Sequence, residues 1–374
     1  MPKTAFSSHF RRELDPEQLL VLIEVDSIDA ISSEQRDWIR KDVVCSSCGA
    51  AGAQIVREAK SRSTTKALRQ PHFRFISLTG QDAHHAFCEF SNETTMRSND
   101  SLIDFATERS AETRYVRALV CKGIEIGIFD QGSIRAMRQW FFELKLKTRI
   151  RVTTTPDAID WMESLWRHPS YHRWPFQPVH AEMPNFKWKE AAKYQFTEDH
   201  LDLLQWLRER KKRVGSLENS YGRAKKLLDK YFGQEVFDTS VLQPYYDKSV
   251  QLAFFFASNS DFPKKVRPWK YRLSGVPVSL LALCALLLFI SDWNMDDAVG
   301  RFASMITAPN ANDETLGNVI GLNPFHDYAA WETIFIASEL AARSTSNLDY
   351  AAVLDAIELR LRKEHRRWRE TMSQ

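Results

Sequence analysis

The chain has 374 residues, 44% of them hydrophobic and 26% charged, with 13 glycines and 14 prolines. That balance excludes a wholly disordered, collagen-like or disulfide-scaffold protein and suits two or three domains of ordinary size. With 51 Lys and Arg against 48 Asp and Glu, the formal charge is only +3, so a claim on nucleic acid has to rest on how the charge is arranged.

Residues 1–14 (MPKTAFSSHFRREL) contain no apolar h-region. No secretory signal is expected, and a reducing, cytoplasmic setting is the expectation for the five cysteines. The segment 1–44 carries one predicted strand, 19–25 (LLVLIEV), and a short helix around 34–39. From residue 45 the composition shifts. Residues 45–95 are rich in Cys, His, Ser and Arg and poor in aliphatic periodicity, as in a loop-built module held by something other than a core.

A helix is predicted over 101–120, closed by Gly123 as a glycine cap, then a strand over 124–129 (IEIGIF). In 133–147, Ile134, Met137, Trp140, Phe141 and Leu144 share one helical face behind a Ser133 cap. A strand over 149–153 and a helix from Pro156 carrying Ile159, Met162 and Trp166 follow. This alternation predicts a small α/β unit over 96–166. Residues 167–196, rich in Pro, His and aromatics without a clean period, read as a connection. Within it His168 and His172 have i, i+4 spacing but lack the Glu of a zinc-protease helix, and they read as loop.

Residues 197–374 are predicted helical, with spans at 198–213, 217–232, 243–256, from Pro277, 295–306, 329–342 and 349–369. The uncharged run 276–290 (VPVSLLALCALLLFI) falls short of the roughly 20 apolar residues a bilayer span needs, so it reads as a buried core helix, and no membrane is expected. The expected fold class is thus α+β and mostly α: a zinc-binding module on a small α/β unit, followed by an all-α C-terminal domain.

The chemistry concentrates in Cys45-Ser46-Ser47-Cys48-Gly49, a C-x2-C-G knuckle. Its spacing turns two thiolates toward one ion, and its glycine permits the tight turn. Downstream lie Pro71-His72-Phe73 and then His84-His85-Ala86-Phe87-Cys88. Cys45, Cys48, His72 and Cys88 supply the four ligands of a structural Zn2+ site, and His84 or His85 can replace His72 or Cys88. Cys121 and Cys284 lack a cationic neighbour in sequence and read as inert core thiols.

This order of motifs resembles the N-terminal zinc-binding segment of the competence-protein CoiA-like family. The likeness continues into Glu108-Arg109-Ser110-Ala111-Glu112-Thr113, where that family opens the first helix of a nuclease-type domain, and it covers about residues 45–125. The family's second histidine after His-Phe is Phe75 here, which favours His84 or His85 as a ligand. The resemblance implies a bacterial DNA-processing or phage-defence setting.

A Mg2+-dependent nuclease of the restriction-like class needs an Asp at one strand end and a Glu-x-Lys on the next strand. Glu112, Asp130, Glu143 and Lys145 supply those residue types, although the helical period of 133–147 turns Glu143 and Lys145 to different sides. Phosphate-loop, dinucleotide-fingerprint and nucleophile-elbow motifs are absent from the sequence.

Basic residues cluster in 208–213, Lys225-Lys226, 263–272 and 360–369. Arg208, Arg210, Lys211, Lys212, Arg213, Lys264, Lys265, Arg267, Lys270, Arg366 and Arg367 are candidate phosphate contacts, with Trp269 and Trp368 as stacking surfaces. The leading expectation is a zinc-containing nucleic-acid-binding protein, DNA over RNA. The alternatives are the nuclease and a helical scaffold that docks a protein partner.

Overall fold

The computed structural model describes residues 4–57, 59–60, 67–69, 71–88, 90–91, 110–169, 175–211, 217–263, 276–313, 324–344 and 347–374. Lys212, Arg213, Lys264, Lys265, Arg267, Trp269 and Lys270, together with His172 and the start of the helix expected from residue 101, lie outside the described residues. Among the described residues helices dominate, joined by a few short antiparallel ladders. The protein is mostly α with some β.

The chain groups into two compact units. One comprises Met1–Ile150, Val236–Arg267 and Val276–Asp327, the other Arg151–Glu235, Pro268–Gly275 and Tyr328–Gln374. They interleave along the chain, where the sequence suggested consecutive segments.

The first unit opens with a three-stranded antiparallel sheet in which Ala5–Ser7 lies between Arg12–Leu14 and Val43–Val44. The strand expected over 19–25 is not there; Pro16–Leu22 is a helix. Asp15 caps it by accepting from the Gln18 amide at 2.8 Å, while the Gln18 side chain accepts from the Asp15 amide at 3.1 Å. With Pro16 preset at the first helical position, this capping box overrides the β-propensity of the apolar run. The helix buries Pro16, Leu19 and Leu20 and leaves Val21 exposed. The helix expected near 34–39 runs Ser33–Asp42, opened by a Ser32–Gln35 capping box.

Residues 45–91 do have a core. Ala53–Val56 pairs antiparallel with His72–Phe75, and Phe73, Phe75, Cys45 and Cys88 are buried in one cluster with Leu14, Leu19, Ile39, Val43 and Phe142. The apolar side chains come from elements far apart in sequence, so no local periodicity reveals them.

Helix Ala111–Glu125 is capped by Ser110, whose hydroxyl accepts from the Thr113 amide at 3.1 Å. Gly123 lies inside this helix and does not end it. The stop is Gly127, at φ 73°, with the Ile128 amide donating to Gly123 O at 2.8 Å and the Gly127 amide to Ile124 O at 3.1 Å. That paired-bond C-cap occupies the residues expected to form the strand 124–129. The helix expected over 133–147 runs Gln131–Leu146 and is capped by Asp130 rather than Ser133, and Arg149–Arg151 is a short strand. Without the strand 124–129, the alternation expected of a small α/β unit reduces to helices with one short strand.

Helix Val278–Phe289 is buried from Ser279 to Leu288, on every side. It packs against Ala111–Glu125, Gln131–Leu146, Gln243–Asn259 and Met295–Thr307. This is the buried core helix expected at Pro277. Among the described residues no helix is long and apolar enough to cross a membrane.

The second unit is helical: Pro156–Arg167, Trp188–Asp199, Leu201–Lys211, Leu217–Tyr231, Tyr328–Arg343 and Tyr350–Met372. Helix Trp188–Asp199 begins inside the stretch expected to be an irregular connection. Trp161, on helix Pro156–Arg167, is 1% exposed, and its indole N–H donates to Ser344 Oγ at 2.9 Å. His168, 7% exposed, bridges two helices: Nδ1 lies 2.6 Å from the Tyr350 hydroxyl and Nε2 lies 2.8 Å from Thr197 Oγ1.

Candidate metal centre

The knuckle forms directly after strand Val43–Val44. The Cys45 amide donates to Ala50 O at 2.8 Å and the Gly49 amide returns to Cys45 O at 3.0 Å. Gly49 is at φ 71°, the left-handed conformation the spacing demanded. The Ser47 amide also points at Cys45 Sγ, at 3.5 Å. Gly52, at φ 92°, closes the loop where two backbones nearly touch. A Cβ there would stand 2.2 Å from Ile76 O, and the Ile76 amide donates to Gly52 O at 3.0 Å.

A second turn faces the first. The Ala83 amide donates to Phe75 O at 3.1 Å, the His84 amide to Asp82 Oδ1 at 3.1 Å and the Cys88 amide to His85 O at 2.9 Å. These bonds carry His84 and Cys88, four positions apart, onto the open side of the knuckle. The His84 ring rests edge-on against Phe75, centroids 5.0 Å apart.

The side chains converge. Cys45 Sγ and Cys88 Sγ are 3.9 Å apart, and His84 Nδ1 lies 3.5 Å from Cys48 Sγ and 3.6 Å from Cys88 Sγ. All four ligand atoms fall within 4.8 Å of one another. A sulfur pair at 3.9 Å is far beyond a disulfide bond of about 2.05 Å. Zn–S bonds of about 2.3 Å and Zn–N bonds of about 2.0–2.1 Å, meeting near the tetrahedral angle, set ligand edges of about 3.8 Å between sulfurs and about 3.6 Å between sulfur and nitrogen. The Cys45–Cys88, Cys48–His84 and Cys88–His84 edges match these, and Cys45, Cys48, His84 and Cys88 could hold a metal ion such as zinc.

Electrostatics agree with the geometry. Burial pushes the Cys45 thiol well above its ordinary range, while hydrogen bonds from Cys45 and then Cys88 hold Cys48 far below it. The two thiols divide in this way because the dry site disfavours a thiolate at Cys45, whose S–H then donates to the Cys48 sulfur. A divalent cation lets every sulfur ionise together.

His72 does not join this group. It lies on strand His72–Phe75 in register with Val56, buried at 3% exposure, and His84 takes the place the sequence assigned to it. His85 also stays out: its Nδ1 accepts from the Phe87 amide at 3.1 Å, and its ring packs on Phe142.

Behind the knuckle stands a buried ion pair that the sequence reading missed. Arg138 Nη1 donates to Glu13 Oε1 and Oε2 at 2.7 and 3.0 Å and to Ser46 Oγ at 3.2 Å. The side chains of Arg138 and Glu13 are 4% and 1% exposed. One signal was available: Arg138 is four residues after Ile134 and beside Met137, on the face the helix buries.

The residues proposed for a nuclease do not assemble. Asp130 is the N-cap of helix Gln131–Leu146, accepting from the Ser133 amide at 2.7 Å and its hydroxyl at 2.8 Å, and the amide bond foremost lowers its pKa. Glu143 is exposed near the other end of that helix, about 20 Å away at 1.5 Å per residue. Lys145 is buried at 2% exposure, 5.3 Å above the Phe237 ring, and Glu112 lies in the first turn of helix Ala111–Glu125. Among the described residues, the four cysteine and histidine ligands form the one grouping fit for a metal. Cys121 and Cys284 are buried thiols, and burial pushes the Cys284 thiol up.

Of the basic candidates, Arg208, Arg366 and Arg367 are exposed. Arg210 is engaged, 4.7 Å over the Trp206 ring and 3.3 Å from Glu339. Lys211 is the last residue of helix Leu201–Lys211.

The site thus defines a class, a protein with a Cys3His-type candidate metal centre set in the core of one of its units. No family model matches the chain, and no curated protein or solved structure matches it.

Proposed function

We propose that the chain is a zinc-stapled nucleic-acid-binding protein. The zinc is structural. Four protein ligands close the coordination sphere, leaving no position for water or substrate, and two of the sulfurs lie in the hydrophobic core.

The observation that carries the nucleic-acid reading is the surface of the last helix, Tyr350–Met372. Arg362, Lys363, Arg366, Arg367 and Arg369 are all exposed on it. Among the described residues, Lys363, Arg366 and Arg367 have no carboxylate partner, so their charge is available to phosphates. The resemblance of residues 45–125 to the CoiA-like family supports the same reading and adds a DNA-processing or phage-defence setting, with DNA ahead of RNA.

The test is fluorescence anisotropy of end-labelled duplex DNA, single-stranded DNA and RNA across a salt series. A rise that weakens steeply with salt is expected. A flat trace at low salt with all three probes would overturn the reading and leave protein docking by the helical unit as the function to pursue.

A further inference from the structure

In the second unit, Trp188 and the C-terminal part of helix Tyr350–Met372 line an open groove of about 720 Å³, with Arg362, His365, Arg366 and Arg369 on its walls. Positions 362, 366 and 369 share one face of the helix, and Lys363 and Arg367 form the adjoining stripe.

The groove contains a cation–π pair. The Arg362 guanidinium lies 4.6 Å over the Trp188 ring. Its edge is held by Glu358, with Nε at 2.9 Å and Nη2 at 2.7 Å from Oε1. Trp188 is braced from the side by Phe186, at 5.0 Å and near-perpendicular. His365 is fixed by Glu182, Nε2 to Oε1 at 2.7 Å, and the same oxygen lies 3.7 Å from Arg369 Nε. Glu370 also lines the groove. Acidic groups thus hold Arg362 and Arg369 in place, whereas Arg366, between them, has no carboxylate partner among the described residues.

A guanidinium held over an indole face offers a surface on which an unpaired base can stack, and cations one helical turn apart suit the phosphates on either side. A base inside a duplex cannot reach such a platform. We infer that this groove binds single-stranded nucleic acid, one base stacking on the Arg362–Trp188 pair and the flanking phosphates meeting Arg366 and the Lys363–Arg367 stripe. The inference rests on the nucleic-acid reading above and names the strand state and the place of binding.

The experiment uses the full chain and two probes labelled at one end, an oligothymidylate and a hairpin duplex, with Trp188→Ala and Arg366→Gln. Binding to the oligothymidylate should fall roughly five- to a hundredfold in Trp188→Ala, the range one stacked base supplies. Arg366→Gln should weaken it less and flatten its salt dependence, and duplex binding should change little in Trp188→Ala. Because Arg366 is exposed, its variant keeps the fold, and it decides the matter if thermal melting shows Trp188→Ala to be misfolded. Wild-type binding that neither variant alters, or that Trp188→Ala weakens equally for both probes, would overturn the groove and leave the broader reading standing. Binding of neither probe by the wild type would overturn both.

Discussion

Arg138 and Glu13 form a buried, two-bonded ion pair, and the guanidinium nitrogen that makes it also holds Ser46 inside the knuckle of the candidate metal centre. Helix Gln131–Leu146, strand Arg12–Leu14 and the Cys45–Cys48 turn are thereby tied at one point. Breaking a buried pair from one side leaves a charge without compensation, at a cost of about 3–5 kcal/mol. Arg138→Met should lower stability by that amount in urea titrations. Arg138→Met combined with Glu13→Gln should recover much of it, because no unpaired charge then remains. The single variant should also bind Zn2+ more weakly in competition with a chromophoric chelator.

The two histidine assignments make opposite predictions. His84→Ala should lose bound zinc, measured by elemental analysis of purified protein, whereas His72→Ala should keep a full equivalent. Chelation of the wild type should reproduce the loss of thermal stability seen in His84→Ala. Zinc retained by His84→Ala and lost from His72→Ala would reverse the ligand set.

Gly123→Ala exchanges a poor helix former for the best one, a change worth about 1 kcal/mol in favour of the helix. Here it should destabilise. The new methyl would meet Phe129 Cε1 and Cζ at 2.7 Å and Met305 Cε at 3.2 Å, and overpacking of this kind costs about 1–3 kcal/mol. A melting temperature at or above that of the wild type would show that Phe129 moves aside freely.

His168 links stability to pH. Burial, followed by the positive charges of Arg208, Lys193 and His200, lowers its pKa to about 4 from the usual 6.5. Between those values the unfolded chain takes up a proton that the folded chain refuses, so stability is full above about pH 6.5 and declines as the pH falls toward 4. The decline is at most about 3 kcal/mol. His168→Gln keeps a polar group in place and should flatten this part of the curve; the difference between the two proteins isolates His168 from the candidate metal ligands.

What the sequence made legible was local. The C-x2-C-G spacing fixed a turn whose geometry depends on five consecutive residues, and the period of 133–147 fixed a helix together with its buried face. The choice between His72 and His84 depended on which strand pairs with Ala53–Val56, a non-local fact that spacing does not encode. The run LLVLIEV fits strand and helix alike, and the capping box at Asp15 and Gln18 decided it. Ile124–Phe129 failed for a related reason, since a glycine two residues past a helix end reads the same as one inside a strand. The Arg138–Glu13 pair joins positions 125 residues apart, and only the assembled core shows it.

The wholly buried helix Val278–Phe289 sets a schedule for biosynthesis. Its neighbours Ala111–Glu125 and Gln131–Leu146 leave the ribosome long before it does, with the whole of Arg151–Glu235 translated in between. At about 5–20 residues per second those helices wait many seconds with their apolar faces uncovered. The first unit therefore finishes folding after the opening segment of the second has been made. A stall before residue 278 would hold a nascent chain whose exposed apolar surface calls for a chaperone.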